Sequence, residues 1–251
     1  MADGTPLVLV HGSPGNPQSW NGVRAALPDR FEVLTPTLAG YEAAVPPADP
    51  DPAETSDLAA ALAAEISACA MPPLLAAHSY GANVALHVAS AGVPLAGLAL
   101  FEPVAFRLLP PLGHDDAYAR ATGAFERYFA AFEAGAPEAV GVMVDLLFGD
   151  GAFAQMPEPV QAYLKANTAM NVRDVKATFR ETYDPDALAA LELPVSVAHG
   201  DRSPSALRVL SEAIADAVPN GRSQIIEGAN HAMLATHPDA VAGLIAEAAG
   251  V

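Results

Sequence analysis

Two segments of this sequence carry side chains that could together activate a hydroxyl group. Ser79 follows the apolar run Leu74–Ala77 and precedes a helical pattern that starts at Tyr80. His231 lies in a short segment after the last predicted strand. A neutral imidazole can take a proton from a serine hydroxyl and return it to a leaving group. The pair predicts nucleophilic catalysis if folding brings the two side chains together; a lone histidine with a structural role is the alternative.

The residues around Ser79 favour a sharp turn between a strand and a helix. Ala77 and Gly81 are small enough for the backbone to fold back on itself without a clash. Such a turn lifts the hydroxyl above the carboxyl edge of the sheet, where open α/β sheets place their ligands. Because a helix starts directly behind the serine, backbone N–H groups face a developing oxyanion. An ordinary serine–glycine turn is the structural alternative.

A third segment, His11–Gly15, follows the first apolar run and contains Gly12 and Ser13. With the turn at Ser79 and with His231 downstream, it resembles the α/β-hydrolase superfamily. The resemblance departs at Ala77, where the family's Gly-x-Ser-x-Gly motif has glycine.

The resemblance also implies an oxyanion hole. In that superfamily the loop after the first strand supplies one oxyanion donor. This implies the N–H of Ser13 as one donor and the N–H of Tyr80 as the other. The alternative is that Gly12 and Gly15 only shape a turn and that this loop supplies no oxyanion donor.

The acid that would orient the histidine is ambiguous in the sequence. The family usually takes it from the loop after the strand ending at Gly200, where Ser203 stands at the usual acid position and Asp201 lies nearby. Some members, including a branch of haloalkane dehalogenases, carry it after the preceding core strand, which here places Glu102. A carboxylate at the end of an apolar strand needs a partner such as a histidinium. We favour Glu102; Asp201 is the alternative, with an Asx turn near Ser203 as its structural role.

The resemblance implies a serine hydrolase that cleaves a small carboxylic ester, lactone or thioester through an acyl-enzyme. Ser79 in place of an aspartate argues against dehalogenase and epoxide hydrolase chemistry. Carbon–carbon bond hydrolysis or a lyase reaction in the same fold, and a non-catalytic small-molecule receptor, are the alternatives. A substrate with an apolar part is expected to contact some of these residues, for which ordinary packing is the alternative: Phe106, Met143, Leu147, Phe153 and Met233.

Short apolar runs alternate with helical patterns, which predicts an α/β fold with a mostly parallel central sheet flanked by helices. The predicted strands are 7–10, 32–36, 74–77, 95–101, 195–198 and 223–226, and the first four are apolar enough for a sheet covered on both faces. Between residues 115 and 186 the pattern is only helical. We therefore predict an α/β-hydrolase core at residues 1–104 and 187–251, and an inserted helical cap at residues 105–186.

Composition restricts the partners. The 251 residues carry 12 Lys and Arg against 29 Asp and Glu, a formal charge of −17. Nucleic acids and anionic membranes are unsuitable partners, because binding to them relies on basic side chains. The single cysteine, Cys69, excludes an internal disulfide and a thiolate metal cage.

Other expectations concern metals, cofactors and localisation. No histidine pair has the spacing of a zinc motif, so neither a metal nor another cofactor is expected. The first six residues contain no Lys or Arg, and no apolar run reaches the ~18–20 residues that span a bilayer, so a cytoplasmic protein is expected. The sequence does not indicate the oligomeric state.

Overall fold

The sheet that organises the molecule is parallel throughout. The computed structural model describes residues 4–42, 46–52 and 54–251; residues 1–3, on which the expectation of a cytoplasmic protein partly rests, lie outside this range. The strands are β1 (Thr5–Val10), β2 (Phe31–Leu34), β3 (Leu74–His78), β4 (Gly97–Phe101), β5 (Val195–Gly200) and β6 (Gly221–Ile226). Their order is β2-β1-β3-β4-β5-β6, and all neighbours pair in parallel. The predicted α/β-hydrolase architecture is confirmed.

Helices cover both faces of this sheet. They are α1 (Asn21–Ala26), α2 (Thr55–Ile66), α3 (Tyr80–Ser90), α4 (Asp115–Glu133), α5 (Ala139–Phe148), α6 (Ala152–Gln155), α7 (Glu158–Ala166), α8 (Thr168–Arg180), α9 (Pro185–Ala189), α10 (Ser205–Ala217), α11 (Met233–Thr236) and α12 (Pro238–Ala248). Within the described ranges, none is long and apolar enough to cross a lipid bilayer.

The core divides into two layers because side chains alternate along each strand. Leu7 and Leu9 of β1 pack on one face, with residues of α1, α11 and α12. Val8 and Val10 pack on the other face, with residues of α2, α3 and α10. All four side chains are buried, as expected for a strand covered on both sides.

The edge strand β2 departs from the prediction. Its side chains alternate between half-buried and exposed, and Leu34 is 39% exposed. The expectation that this strand is covered on both faces was wrong, because Glu32 and Leu34, whose side chains lie on the same face, are exposed. The strand is also shorter than predicted, since it ends at Leu34.

Between β4 and β5, a stretch described in full, the chain forms helices and turns only. We call α4–α8 the insert helices. They pack on one another, and α8 also contacts α2 and α3. The rings of Phe106 and Phe179 stack with centroids 5.1 Å apart, and Phe125 lies 5.5 Å from Phe106. Helix α9 runs across the predicted boundary at residue 186, and the division into core and cap stays a prediction.

Candidate active site

The polar residues at the carboxyl edge of the sheet follow three of its strands. Ser79 comes directly after β3, Glu102 directly after β4, and His231 lies in the loop after β6. The Ser79 N–H donates to Phe101 O at 2.9 Å, and the Glu102 N–H donates to Ala198 O at 2.9 Å. These bonds extend the strand pairing by one residue, so both positions share the rigidity of the sheet.

The backbone at Ser79 turns sharply, as the small neighbours predicted. Ser79 has a φ of 57°, and α3 begins at the next residue. A Cβ on Gly81 would lie 2.3 Å from His11 O, so only glycine fits where α3 meets the end of β1. This close approach places the start of α3 beside the loop that follows β1.

The three side chains form a hydrogen-bonded chain. The Ser79 hydroxyl lies 2.9 Å from His231 Nε2, and His231 Nδ1 lies 2.6 Å from Glu102 Oε2. With the Nδ1–H donating to the carboxylate, Nε2 is left to accept the serine proton. All three residues are buried, with exposures of 6% for Ser79, 2% for His231 and 0% for Glu102. The arrangement can activate Ser79 as a nucleophile.

Glu102 is stabilised in its charged form by its neighbours. Besides His231, its carboxylate accepts hydrogen bonds from the Gly200 N–H at 2.8 Å and from the Ser203 hydroxyl. Burial by itself raises the pKa of Glu102, but the hydrogen bonds and the charge of His231 together hold that pKa below its ordinary value of 4.5. The buried carboxylate therefore stays ionised at neutral pH.

The alternative acid, Asp201, lies apart from His231. Its side chain is exposed and accepts a hydrogen bond from the Gly228 N–H at 2.7 Å. The expected Asx turn near Ser203 was wrong, because Asp201 instead ties the loop after β5 to the loop after β6. The structure thus brings Glu102, rather than Asp201, against the imidazole.

The loop after β1 approaches the nucleophile closely. A Cβ on Gly12 would lie 2.9 Å from Ser79 Cβ, so a side chain there would collide with the serine. Among the described residues, the Ser13 N–H donates to no backbone acceptor. The Tyr80 N–H belongs to the first turn of α3, where N–H groups have no partner within the helix. Both N–H groups are available to an oxyanion beside Ser79.

His11 holds this loop in place as a neutral side chain. Its Nδ1–H donates to Gly12 O at 2.7 Å, and its Nε2 accepts from the Leu38 N–H at 3.0 Å. Burial lowers the pKa of His11 from 6.5 to about 4, which keeps the ring uncharged at neutral pH.

His78 plays a similar part next to the candidate base. Its Nε2–H donates to His231 O at 3.0 Å, and the two imidazoles lie 4.6 Å apart between centroids. Burial, followed by repulsion from His231, lowers the pKa of His78 to about 3. The sequence gave no signal that the hydrogen-bond partner of His78 lies 153 residues away.

A cavity of about 420 Å³ opens above Ser79 and His231. Met143 and Leu147, two of the residues expected to contact substrate, line it. Further large apolar lining residues come from α5, α7, α11 and the segments beside them: Val144, Phe148, Met156, Val160, Leu164 and Leu234. Phe148 lies 5.9 Å from the His231 ring, and its carbonyl accepts from Asn230 Nδ2 at 2.7 Å.

Three residues expected to contact substrate do not line this cavity in the described part of the chain: Phe106, Phe153 and Met233. Phe106 packs into the aromatic cluster with Phe125 and Phe179. Phe153 packs against Gly141 on the neighbouring α5. Met233 is fully buried with Trp20 and Leu7, because the first residue of α11 turns toward the opposite face of the sheet. The structure therefore does not bring these three side chains to the cavity, and the nearness of Met233 to His231 in the sequence did not fix the direction of its side chain.

No metal centre accompanies the cavity: the described residues contain no group of three or more His, Cys, Asp or Glu side chains placed to hold a metal ion. Isolated histidines such as His114 and His237 lie at the starts of helices.

Comparison with known proteins gives the family. The model of the alpha/beta hydrolase family matches residues 7–244, and the chain belongs to this family. A search of the curated proteins finds no match.

Solved structures agree with the fold. An esterase from Exiguobacterium antarcticum is 16% identical with a TM-score of 0.74, covering 100% of this chain and 94% of that one. A thermophilic esterase from Thermogutta terrifontis is 22% identical with a TM-score of 0.71, and the match covers 98% of this chain and 90% of that one. MenH from S. aureus is 17% identical with a TM-score of 0.73, and the match covers 97% of this chain and 92% of that one. At these identities, the likeness concerns the fold alone.

Proposed function

We propose that the protein is a serine hydrolase that cleaves a small, uncharged carboxylic ester, lactone or thioester through an acyl-enzyme intermediate. The observation that carries the proposal is the 2.9 Å approach of the Ser79 hydroxyl to His231 Nε2, with Glu102 on the other side of the ring. Acyl transfer of this kind requires a nucleophile that is hydrogen-bonded to a base, and a base that is hydrogen-bonded to an orienting group.

Acylation begins with attack of Ser79 Oγ on the substrate carbonyl carbon. His231 Nε2 takes the hydroxyl proton, and Glu102 stabilises the imidazolium that forms. The carbonyl oxygen becomes an oxyanion and accepts hydrogen bonds from the N–H groups of Ser13 and Tyr80. When the tetrahedral intermediate collapses, the bond to the leaving alkoxide or thiolate breaks and His231 returns the proton to it.

Deacylation repeats these steps with water as the nucleophile. His231 removes a proton from water, the hydroxide adds to the acyl carbon, and the bond to Ser79 Oγ breaks as the proton passes to it. The products are a carboxylic acid and the free enzyme. This route needs no cofactor.

The lining of the cavity supports an uncharged substrate with an apolar part. Its polar side chains are serines and histidines, and among the described lining residues there is no Lys, Arg, Asp or Glu. His78, with a pKa of about 3, stays uncharged at neutral pH. An anionic substrate would find no cation in the cavity and would approach a protein of formal charge −17. Two of the similar solved structures are named esterases, which is consistent with this choice.

Purified protein assayed against neutral esters, lactones, thioesters and β-diketones tests the proposal. We expect turnover of short p-nitrophenyl esters and labelling of Ser79 by a fluorophosphonate probe. Ser79→Ala should lose both, while Ser67→Ala, at an exposed serine at the end of α2, should retain both. Labelling that persists in Ser79→Ala, or hydrolysis of the β-diketone alone, would contradict ester cleavage at Ser79.

A further inference from the structure

Asn171 of α8 reaches from the insert helices to the loop after β1. Its Nδ2 donates to Ser13 O at 2.8 Å and to Ser13 Oγ at 3.0 Å. Its Oδ1 accepts from the Tyr128 hydroxyl at 2.7 Å. Because a backbone carbonyl can only accept, the amide is oriented with its NH₂ toward Ser13. Asn171 and Tyr128 are both fully buried, so these bonds are not shared with solvent.

A second connection reaches the same serine through Tyr41. The Tyr41 hydroxyl donates to Asp174 Oδ2 at 2.7 Å and lies 2.6 Å from Ser13 Oγ, which donates to it in turn. Asp174 is fully buried on α8, and Arg173 donates to its Oδ1 from Nε at 2.9 Å. A buried carboxylate needs such partners to remain charged.

These contacts engage every polar atom of Ser13 except one. The carbonyl oxygen accepts from Asn171, and the hydroxyl oxygen contacts both Asn171 and Tyr41. The remaining polar atom is the backbone N–H, which follows Gly12, the residue whose backbone closely approaches Ser79. Both connections originate on α8, 158 residues from Ser13 in the case of Asn171. The position of this N–H therefore depends on how α8 sits on the core.

We infer that Asn171, supported by Tyr41 and Asp174, is a positioning residue that sets the Ser13 N–H for the oxyanion. The inference rests on the proposed function. It extends that function, because stabilisation of the transition state would then depend on the position of α8 on the core. A donor fixed in advance stabilises developing charge more than one that must reorganise during the reaction. The contacts act on the transition state, and substrate binding in the cavity is unaffected.

The test compares Asn171→Ala with Asn167→Ala. Asn167 is also a buried asparagine beside α8, and its amide donates to a backbone carbonyl, Tyr163 O, at 2.9 Å, within the insert helices. We expect kcat of Asn171→Ala for a p-nitrophenyl ester to fall about 10- to 100-fold with KM changed less than about threefold. The affinity for phenylboronic acid, whose tetrahedral adduct with Ser79 mimics the transition state, should fall by a similar factor. Asn167→Ala should keep the wild-type kcat and boronate affinity.

Tyr41→Phe provides an independent variant if Asn171→Ala does not fold. It removes one hydroxyl and keeps the ring, so kcat and boronate affinity should fall together about 3- to 10-fold. Thermal unfolding of all variants separates stability from catalysis. The inference is overturned if kcat and boronate affinity of Asn171→Ala or of Tyr41→Phe stay at wild-type values, whether or not the variant is destabilised. If the wild type shows neither turnover nor labelling of Ser79, the proposed function itself fails and this inference with it.

Discussion

The hydroxyl of Ser203 donates a hydrogen bond to Oε1 of Glu102, although the two residues follow different strands. Ser203 stands where the family resemblance implied an acid. In this chain, the loop after β5 supports a carboxylate from β4 instead of supplying its own. The Gly200 N–H donates to the same oxygen, which leaves Oε2 for His231.

Replacing Glu102 by glutamine should remove most of the activity. The glutamine Oε1 would keep the bonds from Gly200 and Ser203, and its NH₂ group would then face His231 Nδ1. That donor favours the tautomer with the proton on Nε2, which cannot accept a proton from Ser79. We expect kcat to fall by up to ~10⁴-fold, as for loss of the orienting carboxylate in other serine triads. The measurement is kcat on a p-nitrophenyl ester, with circular dichroism as the check on folding.

Asp201→Asn is the matched control for that variant. Because the Asp201 side chain is exposed and, among the described residues, accepts a hydrogen bond only from the Gly228 N–H, an amide oxygen can replace the carboxylate there. We expect kcat within about twofold of the wild type, since the surface bond contributes only about 1 kcal/mol to stability. If Asp201→Asn lost the activity and Glu102→Gln kept it, the assignment of the acid would be reversed.

Gly12→Ala should inactivate the protein without unfolding it. The added Cβ would meet Ser79 Cβ at 2.9 Å and His78 Nδ1 at 3.3 Å, so the loop must move away from the nucleophile. Displacing the Ser13 N–H should lower kcat/KM by about 10²-fold or more, the effect of losing one oxyanion donor. Gly123→Ala in α4 is the control, because open space surrounds that position. It should keep the activity and raise the free energy of unfolding by about 0.5–1 kcal/mol; full activity in Gly12→Ala would show that the loop is not held against Ser79.

A positive charge at the cavity mouth should change substrate preference. Val160 lines the cavity and is 42% exposed, so a lysine fits there without burial of its ammonium group. Val160→Lys should raise kcat/KM for an ester with a carboxylate in its acyl chain about fivefold relative to a neutral ester, and added salt should weaken the gain. Val160→Gln controls for the change in size. Equal ratios for lysine and glutamine would show that charge does not govern selection at this site.

Stability should fall as the pH falls below neutrality because His11 resists protonation in the folded state. Its pKa is about 4 in the folded protein and 6.5 ordinarily, so between these values the unfolded chain binds a proton that the folded chain does not. The free energy of unfolding therefore rises with pH in this window. The contribution of His11 is fully present above pH 6.5 and is lost as the pH falls from 6.5 toward 4. From about pH 7 to about pH 5, His11 should account for a loss of about 2 kcal/mol. His78, with a pKa of about 3, acts in the same direction.

Urea unfolding of the wild type and of His11→Gln at these two pH values checks this. The drop in the free energy of unfolding should be smaller in His11→Gln by about the same 2 kcal/mol. Gly123→Ala changes no titratable group and should show the wild-type drop. An equal drop in His11→Gln and wild type would mean that His11 becomes protonated as readily folded as unfolded.

Much of the fold could be predicted from the sequence, because the signals that mark strands and turns are local. Apolar runs that end in turns located the strands, and the small residues around Ser79 predicted the turn that the structure contains. The ends of helices are harder to predict: α2 ends at Ile66, where the Ser67 hydroxyl donates a hydrogen bond back to Ala63 O. A side-chain bond of this kind competes with continuation of the helix and leaves no periodic signature.

The contacts that position the site were less accessible from sequence. Asn171 and Ser13 are joined across 158 residues, and neither neighbourhood in the sequence suggests the other. Met233 illustrates the opposite error, since two residues after His231 the chain has already turned into the core. Sequence order predicted which strand ends meet, but the direction of each side chain depends on tertiary packing.

Ser79 and Glu102 are the non-glycine residues with positive φ among those described, at 57° and 47°. Each such conformation costs about 1–3 kcal/mol, and both fall on the proposed machinery. Glycine at position 79 would relieve the backbone while abolishing the hydroxyl. A laboratory screen that selects for thermal stability alone would therefore enrich inactive variants at position 79. Directed evolution of a more thermostable variant needs selection for turnover at the same time.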